Sequence, residues 1–300
     1  MSDKKGITRR QFIKLTSIAA VGSTLLLGSG GTIFSGSGEE KTTTVVLVRN
    51  KAVLDDNGNP RYEVVLEMLD TAVTTLTGKK DPVGAWKSLI KSNDVVGIKS
   101  NVWKYIPTTT QVEQALKKRV MDVGVTGANI GIDDRGVLGN PIFKKATALI
   151  NARPMRSHHW SGVGTLIKNY IMFDPQPSNY HGDSCADLAK LWKLPLVKGK
   201  TRLNVLVMLT PQFHGVGPHS FSPQYVWKYW GFLVGLDPVA VDATGIRIIQ
   251  AKRREFFKED RPLNPPPKHI FLADTRHHLG TADPKKINLV KIGYDQDLLI

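Results

Sequence analysis

An α/β fold is what this sequence predicts, on two observations. Short apolar runs with the length and β-branched content of strands alternate with segments whose apolar residues recur every three to four positions. Strands interleaved with helices specify a parallel or mixed sheet flanked by helices, and no stretch in the middle of the chain reads as a linker, so a single domain is expected. Hydrophobic residues make up 41% and charged residues 22% of the 300 residues, which is enough apolar side chain for a real core.

The elements follow in order. "VVLVR" (Val45–Arg49) reads as a buried strand, and Asp55-Asp56-Asn57-Gly58-Asn59-Pro60 as a turn. Val65, Leu69, Ala72, Val73 and Leu76 share a helix face that Gly78 ends. "DVVGIKSN" (Asp94–Asn101) is a second strand; after a helix over about Gln111–Met121, "ANIGID" (Ala128–Asp133) is a third. "ATALINA" (Ala146–Ala152), "RLNVLVML" (Arg202–Leu209) and "YWGFLVGL" (Tyr229–Leu236) continue the series, and "KINLVKI" (Lys286–Ile292) suits an edge. "GLDPVAVDATG" (Gly235–Gly245) opens a helix, with Asp237 as N-cap, Pro238 at its first position and Val239, Ala243, Ile246 and Ile249 facing inward. Pro262–Pro267 reads as a stiff surface loop.

A segment of different character, residues 1–38, precedes this domain of residues 39–300. A basic stretch is followed by the apolar but Gly/Ser/Thr-rich run Leu15–Phe34 and then by small residues, which is the order of a targeting peptide. "TRRQFIK" (Thr8–Lys14) closely resembles the twin-arginine export motif, a receptor-read address. It implies passage of the folded protein through the twin-arginine translocation machinery to a periplasmic or other extracytoplasmic location. No Ala-x-Ala cleavage site stands here, and Ser35-Gly36-Ser37 is the small-residue substitute. An uncleaved leader would be the chain's one membrane attachment, with Ser35–Gly38 as tether.

The formal charge is +15; Lys4, Lys5, Arg9, Arg10 and Lys14 against Asp3 hold +4 of it, which leaves +11 on the rest. A basic body suits an anionic partner. The run Lys252-Arg253-Arg254 continues into Glu255, Lys258, Glu259 and Asp260, the mixed signs of an exposed helix face, and no RNA-binding, finger or zipper pattern occurs, so nucleic acid is not expected. Cys185 is the only cysteine, which rules out an intrachain disulfide and an iron–sulfur cluster held by this chain alone.

In open α/β sheets ligands gather beyond the carboxyl ends of the strands. There the second strand delivers Lys99 and Asn101, and the third is followed by Asp133-Asp134-Arg135-Gly136. The richest passage, "NARPMRSHHWSGVGTLIKN" (Asn151–Asn169), places Arg153, Arg156, His158, His159 and Lys168 in what reads as a loop-to-helix transition, with Gly162 and Gly164 allowing close backbone approach. A guanidinium, an imidazole and the amides of a helix beginning at Gly164–Tyr170 are what a phosphate or carboxylate requires. Adjacent histidines cannot share one face, so one of the pair is expected in a site, and His158 is taken as the acid–base candidate. His181, Asp183 and His214 are weaker candidates, for a divalent metal, because none shows local two-ligand spacing. Asp237 is explained by capping, whereas Asp242, one turn inside the helix, is the better candidate to orient or coordinate a ligand. Nucleophile-elbow, phosphate-loop and dinucleotide fingerprints are absent.

"DVVGIKSN", "INARPMRSHHWSGVGTLIKN", "GVGP" and "VGLDPVAVDATG", followed by "HHLGTADPKKINLV", resemble the bacterial and archaeal family catalogued as domain of unknown function 362, including its secreted twin-arginine versions. The similarity runs from about Val45 to Val290, with the motifs in the same order. Position by position it points to Lys99, Asn101, His158, Lys168, Asn169, Gly217, Pro218, Asp237 and Asp242. Some members carry ferredoxin-like segments, for which this chain lacks the cysteines. It also departs at Leu209-Thr210, where an aspartate is expected, and at Gly164, where a threonine is expected.

These readings converge on an exported envelope protein with a small anionic ligand in a cleft. Lys99, Arg156 and Lys168 would hold the anion and His158 and Asp242 would serve any reaction. The alternative is a non-catalytic accessory or binding protein linked to periplasmic redox or cofactor chemistry.

Overall fold

The computed structural model describes residues 42–215 and 221–300. The expected export segment with its expected cleavage site, and Gly217 and Pro218, lie outside the described residues.

The seven expected strands form, and with an eighth they build one mixed sheet. They are β1 (Thr43–Arg49), β2 (Val96–Lys99), β3 (Ile130–Asp133), β4 (Ala148–His158), β5 (Gly162–Gly164), β6 (Thr201–Gln212), β7 (Gly231–Gly235) and β8 (Ile287–Gly293). Their order is β3-β2-β4-β6-β7-β1-β8, with β5 paired to β4. β2 is parallel to both β3 and β4, β4 to β6 and β1 to β8, whereas β7 runs antiparallel between β6 and β1.

Alternation along the strands divides the core between the two faces. Val46, Val48, Ile98, Ile150, Val205 and Val207 pack under the helices α1 (Tyr62–Thr77), α2 (Pro82–Lys87) and α3 (Thr110–Asp122). Val45, Leu47, Leu149, Leu206 and Leu233 pack on the other side with α4 (Pro141–Lys145), α5 (Leu166–Asn169), α6 (Pro238–Phe257) and α7 (Lys268–Thr275). The result is a single α/β domain of three layers. Asp237 caps α6 as its position predicts, accepting from the backbone N–H of Val239 at 2.8 Å and Ala240 at 3.1 Å. Among the described residues no helix is long and apolar enough to cross a membrane.

Three expectations are corrected. The fourth strand does not end at Ala152: it runs on to His158 and turns back as β5, so the passage read as a loop is an eleven-residue strand and a hairpin. Its polar residues disguised it, because they face a cavity and not apolar core. The helix expected from Gly164 is the four-residue α5, followed by a 3₁₀ turn over Tyr170–Phe173. Finally, Arg253 does not belong to a solvated face. It is 4% exposed and donates to the carbonyls of Phe213, Arg261 and Pro262, locking the Pro-rich loop onto α6. That loop packs against the hairpin at Gly162 (φ +73°), where a Cβ would stand 2.3 Å from the Pro265 carbonyl oxygen, so only glycine fits.

Candidate anion site at the carboxyl ends of the strands

The topology opens a crevice where the chain changes direction around β2. The loop after β2 leads to α3 on one face of the sheet, and the loop after β3 leads to α4 on the other. Neighbouring loops that diverge in this way leave the ligand crevice of an open α/β sheet between them. A cavity of about 290 Å³ lies there, lined by Asn101 and Trp103 from the first loop and Asp134 and Arg135 from the second. Arg153, Arg156 and His158 come from β4, Lys168 and Asn169 from α5, and Trp160 and His181 stand in the wall beside them.

Strict alternation would send Arg153 to one face of β4 and Arg156 and His158 to the other. The register of β4 against β6 shifts between Pro154 and Arg156, and this irregularity brings all three to one cavity. Pro154 is the sequence signal for it, since a proline inside a strand marks a bulge or an edge.

The cations differ in how they are held. Lys99 is fully buried and donates to the Ser100 carbonyl at 2.8 Å, to Asp134 in a close ion pair and to Asn169 Oδ1 at 3.5 Å. Burial lowers its ammonium to about 8, against the pull of Asp134. Asp134 in turn stays below the usual carboxylate range because Lys99 and the backbone N–H of Val102 outweigh its burial. Arg156 stacks over the Trp103 ring at 4.4 Å and donates from Nη1 to Asn101 Oδ1 at 3.0 Å. The Nε–H groups of Arg153 and Arg156 are buried without a hydrogen-bond partner. Lys168 is lowered to about 8, chiefly by burial; among the described residues its ammonium hydrogen-bonds to the Cys185 thiol alone, at 3.5 Å.

His158 Nδ1 accepts from the backbone N–H of Trp160 at 3.2 Å, which assigns the imidazole proton to Nε2. Burial, and then Lys168, Arg153 and Arg156, hold this ring neutral far below its ordinary range. It is therefore a hydrogen-bond donor at neutral pH. His159 stacks on it at 4.9 Å and does not line the cavity, so one histidine of the pair faces the site. His181, packed at a tilt against Trp160 with ring centres 3.9 Å apart, is lowered to about 4, mainly by burial.

Asp242 stands behind this wall. Its carboxylate accepts the N–H groups of Leu166 at 3.0 Å and Ile167 at 2.9 Å, so the helix amides expected to meet a ligand are met by the protein's own carboxylate. Burial pushes Asp242 up to about 7. The tie anchors α5 to α6 and so positions Lys168 and Asn169. Asn169 is fixed further by donating to Asn151 Oδ1 at 2.9 Å.

The structure thus brings Asn101, Arg156, His158, Lys168 and Asn169 to one cavity, with Lys99 beneath Asn169 and Asp242 behind α5. The three metal candidates do not meet as a set. His181 lines the cavity, Asp183 is exposed and paired with Lys268 at 2.6 Å, and His214 lies 3.0 Å from Arg253 in another cluster. Among the described residues no group of three His, Cys, Asp or Glu side chains is placed to hold a metal ion. Trp103 was missed by sequence reasoning; its signal was an aromatic two residues beyond the Lys-x-Asn strand end. Compared as a whole, the chain matches no family model, no curated protein and no solved structure. The resemblance drawn from its motifs stands on those residues alone.

Proposed function

We propose that this chain is an exported envelope protein that binds a small anion, a carboxylate or phosphate group, in the cavity at the carboxyl ends of β2, β3 and β4. The observation that supports this is the imbalance of charge in the cavity wall. Arg153, Arg156 and Lys168 face it, the two guanidiniums with Nε–H groups that find no partner among the described residues and Lys168 with no carboxylate among them. The one carboxylate in that wall, Asp134, is taken by Lys99. Buried guanidiniums without partners are costly, and an anion held by two of them recovers that cost through charge-assisted hydrogen bonds. Neutral His158 and the Asn101 amide N–H2 complete a set of donors suited to oxygen atoms, while the Asn169 amide is held by Asn151 and the Lys99 and Ala152 carbonyls.

Calorimetric titration of the full chain with sodium sulfate and sodium oxalate tests the reading. Saturable one-site binding that weakens with added salt is expected, and Arg156→Met should lower affinity by about ten-fold or more, the equivalent of roughly 1.4 kcal/mol. Absence of saturable binding to either anion would overturn it. The export half is tested separately: replacing Arg9 and Arg10 together by lysine should retain the protein inside the cytoplasm, and unchanged export would remove the twin-arginine assignment.

A further inference from the structure

Two buried lysines stand at the proposed anion site, Lys168 in its wall and Lys99 beneath Asn169, and the fold treats them differently. Lys99 spends its donors on Asp134, the Ser100 carbonyl and Asn169. Lys168, 3% exposed, pairs with no carboxylate among the described residues and has only the Cys185 thiol beside its Nζ. Arg153 and Arg156 line the same cavity and add positive charge around it. A desolvated amine next to other cations is the arrangement that frees a lysine lone pair for attack on a carbonyl carbon. The same two guanidiniums are well suited to the carboxylate of the molecule that carries that carbonyl.

We propose that Lys168 forms a Schiff base with a small oxo acid whose carboxylate is held by Arg153 and Arg156. This rests on the anion-site reading and names its ligand class. In the step, the Nζ lone pair forms a C–N bond at the carbonyl carbon as the C=O π pair moves to oxygen. That oxygen takes up two protons in turn and leaves as water while the nitrogen lone pair closes the C=N bond. Overall, one ammonium and one carbonyl give one protonated imine and one water, with charge conserved and no oxidant or reductant consumed. Both protons of that water come from the lysine nitrogen, which begins with three and ends with one, and His158, keeping its proton on Nε2, donates a hydrogen bond to the oxygen as charge develops on it.

The test is reductive trapping on the full wild-type chain. The protein is incubated with sodium cyanoborohydride and, separately, pyruvate, 2-oxoglutarate or phenylpyruvate, and adducts are mapped by peptide mass spectrometry. With its ammonium lowered to about 8, Lys168 has roughly a two-hundred-fold larger neutral fraction at pH 7 than an ordinary exposed lysine. The expected result is one saturable adduct per chain, at Lys168, with at least one of the three acids, and its suppression by excess sulfate. Lys168→Arg and Lys168→Met should remove it; because the mapping is read on wild type, the conclusion does not depend on either variant folding. No adduct at Lys168 with any of the three, or labelling there no faster than at exposed lysines, overturns the Schiff base. If sulfate still binds in that case, the anion site stands; if sulfate also fails to bind, both readings fall.

Discussion

Two regions of this protein shield arginine from solvent almost equally and use it in opposite ways. Arg49 and Arg253 are 1% and 4% exposed, and Arg153 and Arg156 are each 4% exposed. Arg49 donates to the carbonyls of Tyr229, Tyr294 and Gln296, and Arg253 to those of Phe213, Arg261 and Pro262. Each guanidinium thereby fastens a segment near the C-terminal end or a long loop to the sheet or to α6. In the cavity, Arg153 and Arg156 leave their Nε–H groups without partners, and one of them rests on a tryptophan face. Burial of charge alone therefore says little about function; what separates the regions is whether the donors are already spent.

The largest effect that could break this contrast is on stability. Arg253→Met strips three carbonyls of their donor; only the Phe213 bond is buried, so with about 1–3 kcal/mol for an unsatisfied buried acceptor and less for the two part-buried ones, a loss of about 3 kcal/mol is expected. Arg156→Met removes a buried charge with few bonds to lose and should change stability by about 1 kcal/mol or less. Urea denaturation of both variants decides the matter. Equal losses would mean that the cavity arginines are structural as well.

Asp242 sharpens the comparison, because it is the carboxylate that the cavity region reserves for backbone. In the folded protein it keeps its proton up to about pH 7, whereas the unfolded carboxyl releases it near 3.8. The folded state therefore binds the extra proton between those values. The stability it contributes is fully present below about pH 4, declines as the pH rises to about 7, and stays level above that. Asp242→Asn cannot ionise, so wild type should lose a few kcal/mol relative to the variant across that window. Parallel pH profiles in urea would show instead that burial does not govern this group.

How much of this was legible in the sequence follows from what each feature depends on. Strands such as Val45–Arg49 and Arg202–Leu209 declared themselves because their side chains meet apolar layers on both faces. The second half of β4 did not, since Arg153, Arg156 and His158 are strand residues that face a cavity, and β5 has two glycines in its three residues. Lys99, His158 and Lys168 could be picked out because strand exits and loop chemistry are local properties. The division of labour between the two lysines could not, because it is set by Asp134, thirty-five residues from Lys99 in the chain. Nor could the role of Asp242, which meets Leu166 and Ile167 only once α6 has packed on α5.

Protonation offers a smaller and more selective test. Lys168 and Lys99 are both lowered to about 8, so the cavity loses positive charge just above neutrality while ordinary lysines do not. Sulfate, which has no ionisation of its own in this range, should bind about ten-fold more weakly at pH 9 than at pH 7. Lys168→Met should bind less tightly at pH 7 and show a shallower decline. An affinity that does not change over this range would place the anion away from both lysines.

The smallest expected effect concerns Gly164, where the family that the motifs resemble would lead to threonine. A Cβ at this position would stand 2.8 Å from Arg153 Nη2 and 3.4 Å from Arg156 Cγ. The first of these is the far end of a flexible side chain, so Arg153 can give way without moving the strand. Gly164 has an ordinary φ, so no backbone strain is added. Gly164→Thr should therefore leave stability within about 1 kcal/mol of wild type and displace the Arg153 guanidinium, weakening sulfate binding several-fold. Because it moves one arginine of the pair and removes neither charge, it separates geometry from net charge in the cavity. Unaltered sulfate affinity in a folded Gly164→Thr protein would show that Arg153 supplies field and not a directed contact, and that Arg156 carries the recognition.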